Sequence, residues 1–564
     1  MESLWTIYGL GPTNSVAQAS GGKRVPMIDF RRLNRLLGLV FFLAWQSAVF
    51  GREVPITILH TCDLHGHILP TEDYDGHTNL GGFARCATVI QKIRAENKNT
   101  LLVDAGDTFQ GTEVGYLSDG RVMVKLLNAL HYDAWVWGNH EFDWGLDKLG
   151  ACAQAAEVPI LNANLQAAAR DALPSTEASR ILARRQSYVL REIDGVKVGI
   201  IGLNTPGVPH WSRPKLIQGL QFVDSVETLR RVVPAVRQAG AQVLVLVCHQ
   251  GYREAGDDHA NQINAMARSF PELDVIIGAH THRNFPEFKV SNVLYSQADY
   301  FGIHLGRVDL VFDTDQGKVI RRSSNTILMD GNVPEDSGVL KLAGPELDQA
   351  QKVLQTTIGE ATDSINPWGA PKHETSVHNL IFDSIAEAMQ ERGVHVDAII
   401  HGIFNKLGAI EKGAITMAQV WKVLPYENTL GCCRLSKSEL WEILEEDADG
   451  YDKTEFRGVW GLKWTFDPKG PKGHKTISLT HADGSPIADD EVLTVAFNSY
   501  DLASGGMRWK RLKEIADRPA SKLVEYDLQT RQAIIDYIRK HGKVSPQLGG
   551  WWRTENLQKD EHQD

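Results

Sequence analysis

Cysteine is scarce in this chain of 564 residues, and its scarcity excludes two kinds of stabilised fold. Six cysteines are too few for a disulfide scaffold of this length, and none forms the Cys-x-x-Cys spacing of a thiolate metal site. They are Cys62, Cys86, Cys152, Cys248, Cys432 and Cys433. We expect the adjacent Cys432 and Cys433 to lie in a strand as small apolar residues.

Long runs of lysine and arginine are also absent. The formal net charge is -11 at pH 7, and no basic segment offsets it. Because a nucleic-acid backbone is held mainly by clustered cationic side chains, this charge argues against nucleic acid as the partner. A small ligand or a metal-bound ligand is compatible with it.

An apolar run long enough to cross a bilayer is lacking as well. The run at 36–50 covers about 15 residues, whereas a spanning helix needs about 20. It follows Arg31, Arg32 and Arg35 and ends in Val-Phe-Gly, which is typical of a signal peptide cut near Gly51. We therefore expect a periplasmic or secreted protein without a membrane anchor, translated from Met1 or from Met27.

The length predicts two domains and a terminal extension, because one core rarely organises this many residues. Asn-Pro-Trp-Gly-Ala-Pro at 366–371 has the composition of a linker, and 344–354 is a helical stretch. We expect an extension with signal peptide (1–51), a first domain (52–335), a linker helix and linker (336–372), a second domain (373–553) and a polar tail (554–564).

Short apolar runs alternate with amphipathic stretches through the first domain. The amphipathic stretches include 83–97, 122–130 and 226–239. The runs predict buried strands at 56–60, 100–103, 134–137, 158–161, 196–201, 243–247 and 275–277. This alternation predicts a layered α/β fold.

Five of these strands are followed by side chains that bind metals. Because strands of an α/β sheet deliver their carboxyl ends to one edge, we expect these side chains to converge. In chain order they are Asp63 and His65, Asp107, Asn139 and His140, His249, and His280 and His282.

Carboxylate, imidazole and amide ligands without thiolate suit Zn, Mn, Fe or Co. Two ions held close together require one carboxylate that bridges them, and Asp107 is our candidate. His140 precedes Asp143 by three residues, a spacing at which a carboxylate can orient an imidazole ring.

With these motifs the chain resembles the calcineurin-like metallophosphoesterases, and within them the secreted 5′-nucleotidase and UDP-sugar hydrolase group. The resemblance implies a four-layer α/β/β/α domain followed by an α+β domain. It implies two divalent ions and a role for His140, oriented by Asp143, at the phosphoryl group in the transition state. The implied ligands are Asp63, His65, Asp107 and His282 for one ion, and Asp107, Asn139, His249 and His280 for the other.

The second half resembles the C-terminal domain of the same group, which binds the base and rotates to bring substrate to the metals. Tyr426 and Trp509 match in kind the two aromatic residues that sandwich the base. The asparagine and two arginines of the family fall on Gly402, Leu407 and His373, with His373 as a further candidate for substrate binding. Loss of the arginines removes a bidentate grip on carboxylate or phosphate that lysine or histidine does not reproduce. We therefore expect AMP to be a poor substrate.

The sequence thus predicts an exported phosphohydrolase of the 5′-nucleotidase type that acts on a small phosphoester, with a nucleotide as one candidate. A thiosulfohydrolase is one alternative, although Glu-Phe-Asp at 141–143 favours a nucleotidase. A binding protein on the same fold is another, although binding alone has no use for His140 and Asp143. The sequence leaves the identity of the metal and the oligomeric state open.

Overall fold

The computed structural model describes residues 52–168, 176–453 and 456–555, and the described residues from Glu53 onward form one compact unit. The expected signal peptide and most of the polar tail lie outside the described residues. Within the described ranges, no helix is long and apolar enough to cross a membrane.

The first domain begins with a seven-stranded sheet. Strand Glu53–Thr61 pairs in parallel with Thr100–Asp104 and antiparallel with His304–Asp313. The five strands from Glu53–Thr61 to Arg185–Gln186 in the order given below are parallel to one another. The loops that follow these strands therefore meet at one edge of the sheet. The strand order is Lys318–Leu328, His304–Asp313, Glu53–Thr61, Thr100–Asp104, Ala134–Val136, Ile160–Leu161 and Arg185–Gln186.

A six-stranded sheet packs against the first one. Its central strands, Val243–Cys248 and Val275–Ile277, are parallel and fully buried, which fits their continuous apolar sequence. The strand order is Asn284–Val290, Val293–Ala298, Val275–Ile277, Val243–Cys248, Val196–Leu203 and Tyr188–Ile193. A two-stranded sheet of Leu165–Ala167 and Leu220–Phe222 accompanies them.

Three apolar cores define four layers. One core lies between the two sheets and takes side chains from both, including Ile58 and Val245. The other two lie under helices on the outer faces of the sheets. The helices are Phe83–Glu96, Glu113–Leu117, Arg121–Ala129, Leu146–Ala155 and Thr176–Arg184 on one side, and Ser225–Gln238 and Ile263–Ser269 on the other. The predicted α/β/β/α fold is confirmed.

The second domain has its own core around a five-stranded sheet. The strand order is Val459–Trp460, Ala398–Ile400, Val492–Asn498, Thr429–Ser436 and Val524–Gln529. A three-stranded sheet consists of Thr476–His481, Leu462–Phe466 and Trp552–Thr554. The helices are Ser376–Glu391, Met417–Val423, Lys437–Ala448, Ser499–Leu502, Lys510–Ala516 and Thr530–His541.

The segment expected to be a linker divides between the two domains. Helix Ser337–Leu354 packs on the first domain through Val339, Ala343 and Ala350. Strand Thr357–Ala361 then pairs with Gly413–Thr416 and Lys543–Val544 of the second domain. The chain therefore enters the second domain before residue 373.

Candidate metal centre

The loops that follow the first two parallel strands are joined by backbone hydrogen bonds. The N–H of Asp63 donates to the carbonyl of Gly106 at 2.9 Å, and that of His65 donates to the carbonyl of Asp107 at 2.8 Å. The ladder between strands thus continues past their ends, and it fixes the candidate ligands of the two loops relative to one another.

Five candidate ligands have left-handed backbone conformations, which are uncommon for residues other than glycine. Each follows a buried strand, where the chain must turn sharply to bring its side chain to the sheet edge. Such conformations persist only where the surroundings hold them, and they cluster at functional sites. The φ angles are 49° for Asp63, 48° for His65, 53° for Asp107, 71° for His280 and 50° for His282.

The first group of possible ligands consists of Asp63, His65 and His282, with ligand atoms within 4.8 Å of one another. His65 Nε2 lies 3.0 Å from His282 Nε2, which lies 3.6 Å from Asp63 Oδ1. His65 Nδ1 lies 2.6 Å from the carbonyl oxygen of Gln110. That contact places the proton on Nδ1 and leaves Nε2 as the ligand atom.

The second group consists of Asp107, His249 and His280, again within 4.8 Å. His249 Nδ1 lies 2.9 Å from the carbonyl oxygen of Ala105, so its Nε2 is the ligand atom. This Nε2 atom lies 3.0 Å from Asp107 Oδ2 but does not form a hydrogen bond with it.

Asp107 lies between the two groups. Its Oδ2 is 3.0 Å from His249 Nε2 and 4.0 Å from His65 Nε2. Its Oδ1 accepts a hydrogen bond from the backbone N–H of His140 at 2.9 Å, which fixes the carboxylate. This position is the one that a bridging ligand requires.

The donor set fits divalent metal ions. Asn139 Oδ1 is buried and has no hydrogen-bond partner among the described residues, which is costly for an amide oxygen unless another group binds it. Burial lowers the pKa of His65 and His280 well below the ordinary value and that of His282 to about 4, so these imidazoles are neutral at pH 7. Neutral imidazole is the form that binds metals.

The carboxylates of the centre are strongly desolvated. Burial raises the pKa of Asp63 to about 8, and the nearby Asp107 carboxylate adds to the rise. For His249, burial favours the neutral form, but Asp107 outweighs it and raises the pKa to about 9. Cations bound here would relieve this crowding of buried carboxylates.

His140 and Asp143 form a close pair. His140 Nδ1 lies 2.6 Å from Asp143 Oδ2, and His140 Nε2 lies 4.0 Å from Asp107 Oδ2. Burial opposes protonation of the ring, but Asp143 and Asp107 outweigh it and raise the pKa of His140 to about 10. The ring is therefore a charged donor beside the candidate metal ligands.

Glu141 has a positioning role that our sequence analysis did not find. Its carboxylate is 2 % exposed and accepts hydrogen bonds from the backbone N–H groups of Asp107, Thr108 and Gly138 at 3.0, 2.6 and 2.6 Å. It thereby ties the Asp107 loop to the loop that carries Asn139. Its place two residues after Asn139, and directly after His140, was the available signal.

A cavity of about 780 Å³ opens above the centre between the two domains. From the first domain it is lined by Asp107, Asn139, His140, His280 and His282. From the second domain it is lined by Ile403, Phe404, Tyr426, Glu427, Asn428, Arg457, Ser499, Tyr500 and Arg508.

Aromatic side chains line the wall that the second domain contributes. Phe404 packs edge to face with Tyr426 at 5.7 Å and with Tyr500 at 6.4 Å between ring centroids. Tyr426, which the resemblance places at the base, lines the cavity. Trp509 does not, because it is 2 % exposed and its side chain belongs to the core of the second domain. Tyr500 lines the cavity instead.

The other substrate-related positions also differ from expectation. His373 is exposed outside the cavity lining, and Leu407 is 55 % exposed. Gly402 packs against Arg457, and a Cβ atom at residue 402 would lie only 2.6 Å from the Cδ of Arg457. Arg457 and Arg508 line the cavity, so arginine is present there, although at positions that the family motifs did not indicate.

Polar contacts join the two domains beside the cavity. Glu427 pairs with Arg531 in its own domain and accepts hydrogen bonds from Gln110 at 3.2 Å and Trp144 at 3.3 Å in the first. Arg213 of the first domain donates to Glu525 at 3.0 Å. These bonds hold the aromatic wall over the candidate metal centre.

Comparison with known proteins gives two family matches. The model for calcineurin-like phosphoesterases matches residues 56–284, and the model for the 5′-nucleotidase C-terminal domain matches residues 357–514. The chain is 29 % identical to the snake venom 5′-nucleotidase of Gloydius brevicauda over 559 residues, which covers 91 % of each chain.

Solved structures with the same fold include enzymes of two kinds. A 5′-nucleotidase precursor from Thermus thermophilus has a TM-score of 0.67 and 25 % identity, and the match covers 89 % of this chain and all of that one. A sulfate thiohydrolase from Thermus thermophilus has a TM-score of 0.60 and 17 % identity, covering 89 % of this chain and 97 % of that one. The second likeness shows the fold alone.

Proposed function

We propose that this chain, which belongs to the calcineurin-like metallophosphoesterases that carry a 5′-nucleotidase C-terminal domain, is an exported, dinuclear enzyme for small phosphoesters. Its enzyme class is that of a metal-dependent phosphoester hydrolase. The observation that carries the proposal is the position of Asp107 between two groups of metal-binding side chains at the floor of the cavity.

The proposed ligands divide into two overlapping sets around Asp107. Asp63, His65 and His282 would hold one ion with it, and Asn139, His249 and His280 would hold the other. Such ions would supply positive charge for the phosphate oxygens and would activate water for hydrolysis. The choice among Zn, Mn, Fe and Co is left to experiment.

His140 would act on the phosphoryl group as a hydrogen-bond donor. Asp143 holds Nδ1 at 2.6 Å, so Nε2 is the atom that meets the substrate. Its charge would stabilise the negative charge on the phosphoryl oxygens as the leaving group departs. The mechanism requires no covalent enzyme intermediate, because the nucleophile is water.

We propose that the second domain receives the leaving group. The aromatic side chains of Tyr426, Tyr500 and Phe404 support a planar group such as a nucleobase, since stacking accepts any base. Arg457 and Arg508 line the cavity at positions other than those of the family's arginines, where Leu407 and His373 lie outside the lining. We therefore propose that AMP is a poor substrate relative to at least one other phosphoester, with little discrimination among bases.

A hydrolysis screen tests the function. Nucleotides, nucleotide sugars, cyclic nucleotides, simple phosphoesters and thiosulfonates would be supplied with Mn or Zn, and kcat/KM compared. Turnover of phosphoesters supports the proposal. Turnover of thiosulfonates alone would favour the thiosulfohydrolase, and binding without turnover of any compound would favour a binding protein.

Export is proposed from the apolar run at 36–50, which lies outside the described residues. The name of the Gloydius relative, a venom enzyme, is in keeping with it. N-terminal sequencing of the processed protein should place the first residue close to Arg52. Recovery of the intact run in a membrane fraction would contradict cleavage.

A further inference from the structure

An exposed tyrosine lies beside the candidate metal centre, in the loop of residues 69–80 that we call the Tyr74 loop. Around it the sequence reads Thr-Glu-Asp-Tyr-Asp-Gly-His-Thr at 71–78, a polar turn with one large aromatic residue. Tyr74 is 62 % exposed. Leaving so much aromatic surface in water is unfavourable, and polar turns rarely need it.

The ring of Tyr74 is fixed against residues of the centre. It lies nearly parallel to the imidazole of His282, at 10° and 6.2 Å between ring centroids. Tyr300 at 4.9 Å and Phe301 at 5.3 Å also pack on it. The hydroxyl of Tyr300 donates to the carboxylate of Asp73, which anchors the loop next to the ring.

Backbone hydrogen bonds close the Tyr74 loop on itself. Thr71 and Leu80 exchange both of their hydrogen bonds, at 2.8 and 3.1 Å, and the N–H of Asp73 donates to the carbonyl of His77 at 2.7 Å. The ring is therefore held in position before any ligand arrives, so that little conformational entropy is lost on binding.

Tyr74 does not itself line the cavity, but its ring lies parallel to that of His282, which does, at 6.2 Å between ring centroids. His282 is one of the proposed metal ligands, so the ring of Tyr74 is separated from the candidate metal centre by a single side chain.

We propose that Tyr74 is a stacking subsite for a planar aromatic group that a substrate carries close to its phosphoryl group, such as an aryl or nucleobase leaving group. The inference rests on the proposed phosphoesterase function. A flat aromatic group complements this ring through offset or edge-to-face stacking. The ring of Tyr74 binds the leaving group, while the residues around Asp107 act on the phosphorus.

The test compares an aryl ester with an aliphatic one. In metal-loaded enzyme, Tyr74→Ala should lower kcat/KM for phenyl phosphate about 5- to 150-fold, mainly through KM, and leave that for glycerol phosphate within about 3-fold. Tyr74→Phe should retain the wild-type preference. His77→Ala is the matched control, because His77 lies in the same loop with its side chain 77 % exposed.

Binding gives a second measurement that does not depend on turnover. Calorimetry should show weaker binding of phenylphosphonate to Tyr74→Ala, with methylphosphonate unchanged. Equal losses for both phosphonates, or for neither, would overturn the inference, since they would assign Tyr74 to support of His282 or to no role. Failure of the wild type to hydrolyse either ester would instead overturn the proposed function, and calorimetry would still decide on stacking.

Discussion

The candidate metal centre and the aromatic wall of the cavity lie at the edges of two different sheets, yet the sequence predicted candidate residues in more detail for the first than for the second. Each candidate ligand lies no more than five residues after a strand of the first domain. The wall likewise uses loops at strand ends, such as Phe404 after Ala398–Ile400 and Tyr426 before Thr429–Ser436. Asp is rarely buried without a partner, so a cluster of such residues after buried strands indicates a ligand, whereas aromatic residues also build cores.

The largest effect is expected at Asp107. Asp107→Asn should abolish turnover and reduce the metal content, because both proposed ions lose the anion that they share. Metal analysis of the purified variant measures this directly. Asp75→Asn is a control for loss of one carboxylate, since Asp75 is exposed in the Tyr74 loop. Two tightly bound ions and normal activity in Asp107→Asn would contradict the bridging role.

Substitution of His140 distinguishes a role in catalysis from a role in metal binding. His140→Ala should keep the metal content and lower kcat by about 10² to 10⁴, the usual scale for a donor in the transition state. Steady-state kinetics and metal analysis of the same sample distinguish the outcomes. Loss of metal would make His140 a ligand, and an unchanged rate would remove it from the mechanism.

Substitutions of Tyr426 and Trp509 distinguish a residue that lines the cavity from one in the core of the second domain. Tyr426→Ala should raise KM for nucleotides about 5- to 150-fold, because it removes a stacking surface. Trp509→Phe should leave KM unchanged and lower the free energy of unfolding by about 0.5–3 kcal/mol, because it leaves a gap in the core. Kinetics and denaturant unfolding test both. A rise in KM for Trp509→Phe would restore Trp509 to the site.

The smallest effect concerns stability and pH in the second domain. His378 is buried and accepts a hydrogen bond from the backbone N–H of Thr375 at 3.1 Å. Burial lowers its pKa to about 3, so below about pH 6.5 the unfolded chain takes up a proton that the folded protein refuses. This residue's contribution to stability is present above pH 6.5 and is lost as the pH falls towards 3, by at most about 1.4 kcal/mol per pH unit.

His378→Gln removes that titration. The variant should be less stable than the wild type at pH 7, and the difference in free energy of unfolding should shrink between pH 6.5 and 5. Substitution of the exposed His474 by glutamine is the control, with the free energy of unfolding measured over the same pH range. A constant difference for His378→Gln would show that its burial does not govern the pH response.

Many helices and strands of the first domain could be predicted, because the spacing of apolar residues in the sequence agrees with the burial of those residues in the fold. Strands expected at 100–103 and 275–277 are observed as Thr100–Asp104 and Val275–Ile277, and the helix expected at 83–97 is Phe83–Glu96. The observed helices and strands differ from the predicted ones at their ends, whose exact positions depend on local hydrogen bonds. The linker was harder, because pairing of Thr357–Ala361 depends on strands more than fifty residues away.

In the centre, residue type and strand position were sufficient to single out the candidate ligands and the pair of His140 and Asp143. The role of Glu141 could not be predicted, since a carboxylate that accepts from backbone N–H groups in two loops has no pattern of its own. Tyr500 was missed for a related reason. Its side chain reaches the cavity while Trp509, nine residues later, turns into the core, and both choices depend on how the loop folds.

The pattern of residues along the chain was sufficient to predict the layers, the positions of strands and a set of candidate metal ligands, because burial of apolar runs and the placement of polar residues after them are local properties. The aromatic residues and arginines that line the cavity, and the position of Tyr74 beside His282, depend on the three-dimensional fold. Those outcomes arise from contacts between segments far apart in sequence. Their energies depend on packing that no single segment encodes.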